Sequence, residues 1–190
     1  MRGIIFNVVE ETISAEHGMH TWDALLASAD LPGGYSSMGD YPDEELDRLI
    51  EVGSAALGTT PRDLTRHFGQ SALLALSDRY PQFFAPHACT RDFLLTLNEV
   101  IHPEVRKLHP HANPPEFDFS EAPNGDLVVG YHSTRRLCAF ADGMIVGAGL
   151  YFRETVVVRH AKCTADGDEI CVLHCSFLAQ EEGDLADVSG

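Results

Sequence analysis

The stretch YHSTRRLC, residues 131–138, is where one kind of structure gives way to another. Upstream, Asn124-Gly125 is a strong hairpin turn, and Leu127 to Ser133 is a strand-like run after it. Downstream, Cys138 to Phe152 is apolar on most sides, eased by Gly143, Gly147 and Gly149, and reads as a packed helix. Within the stretch, Tyr131, Ser133 and Arg135 occupy every second position. In an extended chain their side chains project to one side at intervals of about 6.5–7 Å. Two hydroxyls and a guanidinium in a row form a grip for carboxylates or phosphates, with Arg135 adding a charge-assisted fork. The same residues also fit a plain strand end facing water, with Ser133 or Thr134 capping the next helix.

Working outward, Glu116 to Ser120 alternates and faces Leu127 to Ser133 across the turn, while Thr155 to His160 and Glu169 to Leu178 form a second hairpin around Thr164-Ala165-Asp166-Gly167. The first two thirds of the chain is helical in pattern. Ile4, Ile5, Val8, Val9 and Ile13 form one stripe, and HTWDALLAS (residues 20–28) a second short helix. Leu46, Leu49, Ile50 and Val52 follow the acidic start Asp43-Glu44-Glu45. Thr60, Pro61 and Asp63 open a helix that should run to about Arg79. Thr90 reads as the cap of another, burying Phe93, Leu94, Leu97, Val100 and Ile101; Pro103 should kink or restart it. These elements predict an α+β fold, with a helical N-terminal subdomain packed on a C-terminal part that carries a four-stranded antiparallel sheet. A single domain over 1–178 is expected, divided into 1–60 and 61–178, with an acidic tail at 179–190.

Of the 190 residues, 29 are acidic and 13 basic, for a formal net charge of −16. That leaves too few cations for a nucleic-acid face or an anionic membrane surface, and suits a basic docking partner. No apolar run reaches the roughly 18 residues of a spanning helix. Asn7, Glu10 and Glu11 interrupt the opening MRGIIFNVVEETISAEHG, which is therefore not a signal peptide. A cytoplasmic location is expected, where the five cysteines are thiols or metal ligands rather than disulfides.

Two constellations could carry chemistry. His102 lies on an apolar helix face beside Val100, Ile101 and Val105. It is either a satisfied core histidine or a neutral imidazole that binds a transition metal or haem iron. Pro103 leaves the Glu99 carbonyl without its helical donor and loosens the helix there. His109 and His111 are read as exposed and without a role. The second set is His160, Cys163 and Cys171, straddling the second hairpin, with Cys138 opening the neighbouring helix, where the helix N-terminus would favour a thiolate. Imidazole plus thiolates is a zinc set; the same cysteines also fit small buried residues. Cys175 is a spare thiol or substitute ligand. No phosphate-binding Gly-rich loop, GxSxG or HExxH occurs, and no enzymatic activity is expected.

His102 on an apolar helix, followed by Tyr131-x-Ser133-x-Arg135, resembles the haem–nitric oxide/oxygen binding family, H-NOX, the gas-sensing domain also found in soluble guanylate cyclases. MRGIIFNVV, YPDEELDRLIEVGSAALG, Phe68-Gly69 and Pro114-Pro115-Glu116-Phe117 are similar too, so the resemblance runs over about residues 1–178. It implies haem b (iron protoporphyrin IX) buried between a distal subdomain, 1–60, and a proximal one, 61–178. It implies His102 as the proximal iron ligand and Tyr131, Ser133 and Arg135 on the two propionates. Ile5 and Pro115 match positions that contact and press on the porphyrin. Phe140 stands where oxygen-holding members carry a distal tyrosine, and Val9, Leu73, Leu74 and Met144 offer no donor. The resemblance therefore implies a nitric oxide sensor that excludes oxygen and also takes carbon monoxide.

Cys138, His160, Cys163 and Cys171 resemble the zinc site of a bacterial subset of the family, which implies a structural zinc. The chain shows no output domain, so the signal is expected to pass to a histidine kinase or a cyclic-di-GMP enzyme once nitric oxide weakens the iron–His102 bond. Pro103 and Cys175 depart from the family pattern. Two other readings remain: a zinc/thiol redox sensor with haem secondary, and a small zinc hydrolase, which would need an open metal position.

Overall fold

Local sequence signals mark some of the element boundaries. The computed structural model describes residues 1–108 and 112–179; His109, His111 and the tail from 180 lie outside the described residues. Helices α1 (Gly3–His17), α2 (Met19–Ser28) and α3 (Asp43–Leu57) are followed by α4 (Pro61–Arg79). At the start of α4 the Thr60 hydroxyl accepts the backbone N–H of Asp63 at 3.1 Å, with Pro61 in the first helical position. Helix α5 (Thr90–Leu95) departs from expectation. Its cap is the extended Cys89, Thr90 is its first residue, and the Thr90 N–H donates to Glu154 Oε2 at 2.7 Å. A carboxylate distant in sequence thus takes the N–H of the first helical residue, one of the orphan donors of a helix start.

The Pro103 anomaly is resolved one turn earlier. Residues Leu97–Ile101 form a π-turn, in which the N–H of Ile101 reaches Thr96 O at 3.1 Å and the N–H of His102 reaches Leu97 O. Helix α6 (His102–Leu108) restarts there, so Pro103 falls in a first turn where no donor is required. The extra residue in the turn rotates the face. Phe93, Leu94 and Ile101 are buried as expected, but Val100 is 50% exposed.

Strands β1 (Glu116–Glu121), β2 (Leu127–His132), β3 (Glu154–Lys162) and β4 (Cys171–Ala179) form one antiparallel sheet in the order β1-β2-β4-β3, as predicted in number and direction. Helix α7 (Cys138–Phe152) links β2 to β3 and lies against α4. The approach is close enough that a Cβ on Gly143 would lie 1.9 Å from Arg66 O, and one on Gly69 2.1 Å from Phe140 O.

Apolar side chains gather in two clusters. One holds Phe6, Val9, Ile13, Trp22 and Leu46 with Phe140. The other holds Leu73, Phe93, Ile101, Phe117 and Leu127 beneath the sheet. Met144 packs against both. No helix among the described residues is long and apolar enough to cross a membrane.

Candidate functional site

Between the two clusters lies a cavity of about 290 Å³. Its walls are largely apolar, and they include Ile5 of α1, Leu73 of α4 and both Phe140 and Met144 of α7. His102, Pro115, Tyr131, Ser133 and Arg135 line the same cavity, so residues spread over 140 positions of sequence converge on one space. Val9 sits instead in the N-terminal core.

The donor row meets the cavity by a different geometry from the one expected. Strand β2 ends at His132. The Ser133 hydroxyl accepts the N–H of Arg135 at 3.1 Å, which turns the chain, and the Tyr131 hydroxyl lies 3.5 Å from Arg135 O. A turn rather than continued alternation gathers the three side chains. Arg135 is held by partners that the sequence did not announce. Its Nε donates to Asp43 Oδ2 at 2.5 Å, and Nη1 donates to Asn113 O at 3.1 Å. Burial pushes the Asp43 carboxyl upward, but hydrogen bonds from the Met1 amino group and Arg135 outweigh it and hold the carboxyl below its ordinary value. Tyr80, at the end of α4, also lines the cavity beside Phe83 and Phe84.

His102 begins α6 directly after the π-turn, which is anchored to β1 by Asn98. The Asn98 Nδ2 donates to Phe117 O at 2.5 Å, and its Oδ1 accepts the Phe117 N–H at 3.1 Å. Burial and the nearby Arg106 guanidinium push the His102 imidazole down to about 4, so it is neutral at physiological pH. Its Nδ1 is buried without a hydrogen-bond partner. The other side of His102 borders a polar cleft lined by Arg106, Asp118 and His132, in which His132 Nε2 lies 2.6 Å from Asp118 Oδ2. An apolar slot with one neutral imidazole and a tyrosine, serine and arginine at its rim fits an iron porphyrin carrying two acid arms.

A second centre lies behind α7. The sulfurs of Cys138, Cys163 and Cys171 all lie within 4.8 Å of one another, and Cys138 Sγ is 3.5 Å from Cys163 Sγ. Thr164 places its N–H and its hydroxyl each 3.3 Å from Cys171 Sγ. Burial, with two thiols adjacent, pushes Cys138 up to about 12. Burial also raises Cys171, but the Thr164 hydrogen bonds outweigh it and the net shift is downward. Three thiols this close fit a thiophilic ion such as zinc. The structure does not bring His160 into the sulfur group: its Nε2 lies 3.1 Å from Asp142 Oδ2. Cys175 is apart as well, buried opposite Leu127 and Val158. Asp142 was missed by sequence reasoning, because an aspartate inside an apolar helix carries no mark of its distant partners.

The family model described as Haem-NO-binding matches residues 2–160. Among solved structures, the chain is similar to an H-NOX protein from S. oneidensis in the Fe(II)NO ligation state, with 30% identity over 93% of this chain and 99% of that one and a TM-score of 0.87. It is also similar to the IWP-051-bound H-NOX from Shewanella woodyi in the Fe(II)CO ligation state, at 28% identity, 98% and 99% coverage and a TM-score of 0.79. The Fe(II) unliganded H-NOX protein from K. algicida aligns at 25% identity, 93% and 96% coverage and a TM-score of 0.83. No curated protein sequence matches. A family match across most of the chain, on a shared fold, places this protein in the haem–nitric oxide-binding family, the H-NOX gas sensors.

Proposed function

We propose that this chain is a bacterial nitric oxide sensor that excludes oxygen and signals through a separate protein rather than by catalysis. The observation that carries the reading is the single cavity shared by His102, Tyr131, Ser133, Arg135 and the donor-free Phe140, Met144 and Leu73. Bound haem b would supply a ferrous iron that takes up nitric oxide or carbon monoxide. His102 would tether it from the proximal side, Tyr131, Ser133 and Arg135 would hold its acid arms, and Ile5 and Pro115 would bear on its faces. Bound oxygen is polarised and gains from a hydrogen-bond donor that Phe140 does not offer; nitric oxide needs none. Loss of that tether would free His102 to shift at the junction of the π-turn and α6. The parts 1–60 and 61–178 would then move across the Asp43–Arg135 link and alter the face shown to a histidine kinase or a cyclic-di-GMP enzyme. A zinc held by the three thiols and His160 would be structural.

The test is the absorption of the reduced protein under argon, air, carbon monoxide and nitric oxide. Changes with both carbon monoxide and nitric oxide, and none under air, are expected. His102→Ala should lose most of its haem; unchanged haem retention and an unchanged nitric oxide spectrum in that variant would refute the iron assignment. The three-thiol cluster favours a second reading, a zinc/thiol redox sensor with haem secondary. Protein that carries one zinc and no Soret band would select it.

A further inference from the structure

Behind the haem wall of α7, three elements meet at one buried carboxylate. Asp142 of α7 receives Arg66 Nε of α4 on Oδ1 at 2.9 Å and faces His160 Nε2 of β3 with Oδ2 at 3.1 Å. The side chains of His160 and Asp142 are 7% and 6% exposed. With Nε2 facing a carboxylate, the imidazole proton resides on Nε2. In the neutral ring Nδ1 is then a bare lone pair, and it is buried with no hydrogen-bond partner. An unsatisfied buried acceptor costs stability unless something completes it. A β-bulge between His160 and Lys162 bends the strand just before Cys163, and such bulges re-aim the side chains beside them.

Resting on the reading of the three thiols as a metal centre, we propose that Asp142 is its positioning residue: by accepting the Nε2 hydrogen it selects the His160 tautomer in which Nδ1 binds the metal. Three thiolates and a divalent ion carry one net negative charge, so a neutral imidazole completes the tetrahedron without adding charge. The Asp142 carboxylate sharpens the donor strength of that imidazole from behind, and Arg66 balances the carboxylate. Neither Asp142 nor His160 is in the sulfur group as it stands, so His160 would join the three thiols only as the metal binds. The relay has a reach beyond the metal. Asp142 stands two residues from Phe140, and Arg66 stands three from Gly69, whose backbone lies against Phe140 O. Metal occupancy and the distal wall of the gas pocket thus share one helix contact.

The test uses the haem-loaded chain with thiols reduced, dialysed to equilibrium against zinc buffered by a chelator, with zinc and haem per chain measured by elemental analysis and absorption. Asp142→Asn should weaken zinc binding about 10–100-fold with haem content unchanged. His160→Ala should weaken it at least as much, and the double variant no further, because Asp142 acts through His160. Cadmium NMR of the unaltered protein in its diamagnetic carbon monoxide form, with nitrogen-labelled histidine, should show coupling to Nδ1; this measurement stands even if a variant fails to fold. Coupling to Nε2, an Asp142→Asn affinity within twofold of the original, or additive losses in the double variant overturn the proposal. Unaltered protein that takes up no zinc overturns the metal reading itself, and the positioning role with it.

Discussion

Two single side chains bear on the proposed pocket: Phe140 on which gas is held, and Asp43 on how Arg135 is held. Phe140→Tyr would place a hydroxyl on the donor-free wall. A hydrogen bond to a charged partner contributes about 1.5–3 kcal/mol, so oxygen affinity should rise by roughly one to two decades. Oxygen titration of the reduced variant checks this, and a variant as inert to air as the parent would mean that position 140 does not face the gas. Asp43 holds Arg135 and the Met1 amino group, at 2.5 and 2.6 Å. Its folded-state carboxyl lies below the ordinary value, so its contribution to stability is fully present above the unfolded pKa, about 3.9, and is lost as pH falls through the lowered folded value. Asp43→Asn should therefore be less stable than the parent at neutral pH, and the gap should close below about pH 4. Urea midpoints measured across that range test the sign; a gap that stays constant with pH would assign the effect to packing instead of charge.

Among the elements, α4 and α7 form the contact that both proposed centres adjoin, and glycines let the two helices approach closely. A Cβ on Gly143 would meet Arg66 O at 1.9 Å, a backbone atom that cannot swing aside. Gly143→Ala should cost about 1–3 kcal/mol in urea unfolding and should also disturb the Arg66–Asp142 pair. No loss of stability would show that the helices separate freely. The hairpins and the Thr60 cap were readable from the sequence because each depends on a few adjacent residues; the glycines of α7 were visible there, but their contact with α4 was not. Nor was the π-turn. Pro103 signalled trouble in the helix, but the place where the backbone absorbs it depends on Asn98 pinning the turn to β1, and Val100 turned outward as a result. The site residues divide along the same line. Tyr131, Ser133, Arg135 and His102 form a sequence pattern, whereas Asp43 lies 92 positions from Arg135 and Arg66 76 from Asp142, pairings that only the fold creates.

At the scale of the molecule, two apolar clusters close on a cavity that neither could form alone. The N-terminal cluster supplies Phe140 and the neighbouring Ile5; the sheet-side cluster supplies Leu73, Ile101 and Tyr131. A ligand seated between them bridges both, so haem should act as a common core for the two halves. For a site filled at about 100 times its dissociation constant, linkage stabilises the folded state by about 2.7 kcal/mol. In a chain of this length that corresponds to a rise in melting temperature of roughly 5–10 °C. Protein stripped of haem and then reloaded should recover that increment. Amide exchange should slow in α1 as well as in α4, β2 and α6, because both walls lose the same freedom. Protection confined to the sheet side would mean that the ligand belongs to one half only. The proposed movement of 1–60 against 61–178 would then have no lever, since a group held by one part cannot report its release to the other.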